Sequence, residues 1–77
     1  MKVYYGTNTD RVFVGEAGSA KECSKLINEF IQEKRLYEEP YRRYWVENNE
    51  VVIDYGSHIN FFYIDNANAY LLSEQIH

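Results

Sequence analysis

A chain of 77 residues forms one domain (1–77) near the lower limit for an autonomous core, and its 45% hydrophobic content favours folding over disorder. A formal charge of −4 argues against general nucleic-acid binding, and the acids are spread too thinly for a DNA mimic. One cysteine, Cys23, excludes an internal disulfide framework and a multi-cysteine zinc site.

The segments 2–5 and 11–14, rich in Val, Tyr and Phe, read as strands, and Gly6 to Asp10 between them is turn material. Ser19 and Glu22 form a capping box. Behind it Cys23, Leu26, Ile27, Phe30 and Ile31 recur at the spacing of one helix face, which predicts a helix over 19–36. Pro40 ends the connecting segment.

Strands follow at about 41–47, 50–55 and 58–64. With Asn48 and Asn49 as a two-residue turn, Arg43 faces Asp54, Tyr44 faces Ile53, Trp45 faces Val52 and Val46 faces Val51. The Gly56-Ser57 turn leaves two registers open. A two-residue turn puts Phe61 and Tyr63 on the Trp45 face, and a glycine bulge reverses that. The strand at 58–64 is apolar on both faces. Asp65 or Asn66 caps a short final helix, about 67–76, suited to covering the sheet's second face.

The order is therefore β-β-α-β-β-β-α: an α+β domain with a small antiparallel sheet, one main helix on one face and a short C-terminal helix. Leu26, Ile27, Phe30, Ile31, Tyr44, Val46, Val51 and Ile53 are the expected core. Phe30→Ala should then cost about 3–5 kcal/mol.

No constellation calls for chemistry. Asp54, Tyr55, His58 and Asn60 surround a turn and lack a nucleophile and oxyanion donors. Cys23 lies near a helix N-terminus, where a thiolate is stabilised, but also on the apolar face, and it reads as core. His58 and His77 are not at ligand spacing from other donors. No enzyme activity, metal or cofactor is expected.

What stands out is aromatic surface. Thirteen residues are aromatic (eight Tyr, four Phe, one Trp), more than so small a core needs. Trp, Tyr and Arg carry most interface energy, so Arg43, Trp45, Phe61 and Tyr63 are the candidate contacts for a protein partner. The segment 34–45 also mixes basic and aromatic residues. In the alternative reading, a nucleotide-binding module or sponge, Tyr37, Tyr41 or Trp45 stacks on a base and Arg35 or Arg42 takes the phosphate. A third possibility is a structural homodimer through the aromatic strands, with 58–64 free on one edge.

The short acidic chain and its strand pair from Asp54 to Ile64 resemble the small accessory proteins of bacteriophages and mobile elements of Gram-positive bacteria. The resemblance implies a protein that binds and inhibits a host enzyme or defence complex, or sequesters a signalling nucleotide. The first residues, Met1 to Asn8, lack a signal peptide's apolar run, and nothing approaches the ~20 apolar residues of a bilayer span. A cytoplasmic location without membrane contact is the expectation.

Overall fold

The main helix begins where its capping residues place it. In the computed structural model, which describes residues 1–36, 42–57 and 59–75, Ser19 is the N-cap of α1 (Ala20–Lys34), and its Oγ accepts the Glu22 amide at 3.2 Å. The Glu22 carboxylate turns to the Gly18 amide at 3.0 Å, one residue before the expected partner. Arg35, in the left-handed conformation at φ 54°, ends the helix. Its amide and that of Leu36 close back onto Gln32 and Ile31.

Two local hairpins supply four of the strands. In the first, β1 (Lys2–Gly6) and β2 (Arg11–Glu16) are joined by a turn in which the Thr7 amide donates to the Asp10 carbonyl at 3.1 Å. Gly6, at φ 146°, is obligatory there, because a Cβ would sit 2.2 Å from the Asp10 oxygen. A bulge interrupts the ladder, since Val3 pairs with Gly15 while Tyr4 pairs with Phe13. In the second, β3 (Arg43–Glu47) and β4 (Glu50–Asp54) flank Asn48 and Asn49, both at positive φ, as a type I′ turn requires. Every pair expected of this hairpin within 43–54 is present.

The connection to β5 (Phe61–Ile64) is longer than a tight turn. Asp54 Oδ1 accepts the Gly56 amide at 2.8 Å, and Ser57 Oγ accepts the Asn60 amide at 3.1 Å. These side chains take backbone amides that a continuing ladder would have used, so the strand starts at Phe61 rather than at 58. Ile53 pairs with Phe62 and Val52 with Tyr63, a two-residue shift from the tight-turn register. A shift of two preserves the faces, so Phe61 and Tyr63 do lie on the Trp45 side.

All five strands form one antiparallel sheet in the order β2-β1-β5-β4-β3. The 58–64 strand was expected at an edge. Instead β5 is central, because β1 pairs with it from Val3↔Ile64 to Gly6↔Phe61. The last helix, α2 (Ala67–Gln75), is capped by Asn66, whose Oδ1 accepts the Ala69 amide at 3.2 Å. Asp65 serves elsewhere, accepting the Lys2 amide at 2.6 Å.

Contrary to expectation, α2 lies beside α1 on the same face of the sheet. Its Ala67 and Tyr70 join Cys23, Ile27 and Ile31 of α1 and Val3, Val51, Ile53, Phe62 and Ile64 of the sheet in one core. Ser73 Oγ on α2 accepts the Ala20 amide of α1 at 2.8 Å, so one helix helps cap the other. Gly15 lets α1 approach β2 closely, because a Cβ there would lie 3.0 Å from a Leu26 methyl.

Phe62, fully buried, is the hub of the core: the rings of Tyr5, Phe30 and Tyr55 all pack against it at 4.9–5.7 Å. The Tyr5 and Tyr55 hydroxyls meet at 2.5 Å, and burial together with that bond holds the Tyr5 proton well past the ordinary tyrosine range. Of the expected core residues, Leu26 and Phe30 are only partly buried and two are exposed. Tyr44 (53% exposed) and Val46 (49%) point to the helix side, but β3 is the sheet's edge, where Tyr44 meets α2 at the Tyr70 ring, 6.4 Å between centres, without being covered.

Phe30 is only partly buried, so Phe62 is the better test of the core. Phe62→Ala should lower stability by about 3–5 kcal/mol, measured by urea unfolding, more than Phe30→Ala does. Burial also pushes the Tyr70 hydroxyl up to about 12. An unfolded tyrosine ionises near pH 10, so from there to about 12 the unfolded chain holds fewer protons than the native one. Stability should therefore fall as pH rises through that window. Tyr70→Phe should flatten the fall in thermal melts taken from pH 9 to 12.

Candidate functional site: the uncovered face of the sheet

With both helices on one side, the alternate residues of every strand form a second face that no other described element covers. Pairing places Tyr4 beside Phe13 and Tyr63, Tyr63 beside Val52, and Val52 beside Trp45. This row of four aromatic side chains and one valine crosses all five strands. Phe61 lies against Trp45 at 5.9 Å and against Tyr63 at 6.4 Å, and Tyr4 meets Phe13 edge-on at 5.7 Å.

The middle of this face is sealed by charge. The Arg11 guanidinium lies 3.8 Å over the Tyr63 ring and forms a two-pronged bridge to Glu50, at 2.5 and 3.1 Å. The bridge joins β2 to β4 across two intervening strands. Beneath it Tyr63 is only 5% exposed. Burial raises the Tyr63 pKa, and the arginine above partly offsets the rise.

Toward β3 the face opens. Arg43 donates from Nη2 to Asp54 Oδ2 at 2.8 Å, with Asp54 buried and most of the arginine side chain exposed. Trp45 is 39% exposed and Phe13, at the other side of the sheet, 59%.

The four partner-contact candidates thus come together on one face. Arg43, Trp45 and Phe61 present surface, whereas Tyr63 supports the face from beneath Arg11. Sequence reasoning missed Tyr4, Arg11 and Phe13. Their own alternation was visible, but what joins them to the aromatic strands is the β1–β5 pairing, which no local pattern announces.

The nucleotide set is not gathered in the same way. Tyr37 and Tyr41 lie outside the described residues. Arg42 hydrogen-bonds Asn28 of α1 on the helix side, whereas Trp45 points to the opposite face, so these two cannot grip one small ligand. Arg35 is the αL cap of α1. A cleft of about 630 Å³ lies at the β1–β2 edge, lined among others by Val12, Phe13, Phe30 and Lys34, and among the described residues of the set it includes none of Arg35, Arg42 and Trp45.

Of the residues weighed for catalysis, Asp54 is committed to Arg43 and the Gly56 amide, Tyr55 is buried in the core, and His58 and His77 lie outside the described residues. Cys23 has no exposed surface, and burial raises its thiol pKa. It should react with a thiol reagent such as dithionitrobenzoate only as the protein unfolds. Rapid stoichiometric labelling of the native protein would contradict that placement.

No protein-family model, no curated protein and no solved structure matches this chain. Among the described residues no helix is long and apolar enough to cross a membrane.

Proposed function

We propose that this chain is a non-catalytic protein-binding module that meets its partner with the uncovered face of its sheet. One observation carries the reading: exposed aromatic side chains from opposite edges of the sheet flank a centre already desolvated by the Arg11–Glu50 bridge. A rigid, partly dry aromatic surface loses little entropy when it is covered, and Trp with Arg at its edge is the composition of an interface centre. Arg43 keeps donors to spare beyond its bond to Asp54.

The role we assign is inhibition of a cytoplasmic host protein or defence complex by occlusion. That part follows from the resemblance to phage and mobile-element accessory proteins, and the single buried cysteine fits a reducing compartment. The nucleotide reading has less support, since its arginine and tryptophan point to opposite faces.

The test is affinity capture from a bacterial lysate with immobilised parent and variant proteins. Phe13→Ala and Trp45→Ala remove exposed rings and should leave the fold intact by circular dichroism. Together they should weaken capture of a stoichiometric partner at least about tenfold. Capture that survives both substitutions, but is lost when exposed α1 residues are changed, would move the contact surface to the helices.

A further inference from the structure

We propose that β3 is a self-pairing edge, and that two copies of the chain join β3 to β3 about a twofold axis at Trp45, forming a continuous ten-stranded sheet. This inference does not rest on the partner reading above. It starts from the two edges of the sheet, which are unlike. The outer strand β2 carries a bulge at Val14 and Gly15, a device that spoils further pairing. The outer strand β3 has neither bulge nor proline, all five of its residues are exposed, and among the described residues nothing pairs with its outer side.

The backbone is correctly phased for this pairing. In a two-residue hairpin the pair flanking the turn, here Glu47 and Glu50, exchanges both backbone hydrogen bonds. Trp45 and Arg43 therefore also bond to β4, and the N–H and C=O groups of Tyr44 and Val46 point outward. An antiparallel second copy centred on Trp45 sets Tyr44 opposite the partner's Val46, and Val46 opposite the partner's Tyr44. Each pair exchanges two backbone bonds. Trp45 meets the partner's Trp45 at the close, non-hydrogen-bonded position.

The side chains select this register. On the uncovered face Arg43 comes opposite the partner's Glu47, and Glu47 opposite the partner's Arg43. On the helix side the half-exposed Tyr44 and Val46 cover each other's counterparts. Sliding by two residues either way, the smallest slip that keeps the faces, replaces both ion pairs by contacts of charge with Trp45 or with residues beyond the strand. Within its own chain Glu47 faces Glu50, which Arg11 already neutralises, and among the described residues it takes only a long 3.4 Å bond from Trp45 Nε1. The second copy supplies a cation that no described residue of its own chain gives to Glu47. A twofold contact demands such self-complementarity, and Arg-Tyr-Trp-Val-Glu has it about its central residue.

Sedimentation equilibrium tests the pairing. An interface of one short strand is small, so the parent should pass from one to two 9.2 kDa chains as concentration rises to about 200 μM. Glu47→Arg sets like charges at both ends and should weaken association at least about tenfold, and adding Arg43→Glu should restore it. Because Arg43→Glu also removes the arginine that bonds to Asp54, Val46→Pro provides a second route. It deletes only an outward amide, and the chain should stay folded by circular dichroism but monomeric. A parent that remains a single chain throughout overturns the proposal, as does a dimer indifferent to both Glu47→Arg and Val46→Pro.

Discussion

The central strand β5 must be dry on both sides. Phe61, Phe62, Tyr63 and Ile64 alternate between the two faces with no polar residue among them, and only one face has helices. On the helix side the solution is ordinary packing, with Phe62 and Ile64 under α1 and α2 and both fully buried. On the other side the described residues form no third layer. There Tyr63 is sealed by its neighbours and by the Arg11–Glu50 bridge laid across it, a use of an ion pair as a lid. The remaining geometry follows from this asymmetry: a crowded interior on one side, and on the other an aromatic surface closed at its centre and open at its margins.

Periodicity and turn chemistry are local signals, and they carried most of the architecture. Ser19 with Glu22 located the main helix, and Asn48-Asn49 fixed the β3–β4 register residue by residue. What local signals cannot carry is which strands meet across long separations. The pairing of Val3 with Ile64 is one such case, and it moved β5 from an edge to the middle. The same limit explains why Tyr44 and Val46 looked like core. Alternation tells which side a residue points to, not whether anything lies above it. The helix at Ala67–Gln75 was similarly legible as an element but not as a layer, because its apolar residues do not select between two faces of a sheet.

The candidate surface divides in the same way. Arg43, Trp45, Phe61 and Tyr63 were recoverable because the hairpin register and the alternation of β5 put them on one side. The contribution of Phe13 and the burial of Tyr63 both depend on β1 lying between β2 and β5. Arg11 has no sequence signature as a clamp, since its carboxylate partner is thirty-nine residues away. Aromatic excess in a short chain thus identified a surface without giving its outline.

The placement of β1 against β5 has a kinetic consequence. The two hairpins and α1 rest on contacts close in sequence and can form within microseconds. Among the described residues, however, the one backbone ladder that joins the first hairpin to the other three strands is that of β1 with β5, the first described strand with the last. That closure must overcome the entropy of a long loop before any of its contacts are gained, so it sets the folding rate. During synthesis the β1–β2 hairpin and α1 leave the ribosome with β1's inner edge unpaired. They must wait, unable to complete a core, until Phe61 to Ile64 arrives to fill the gap between β1 and β4.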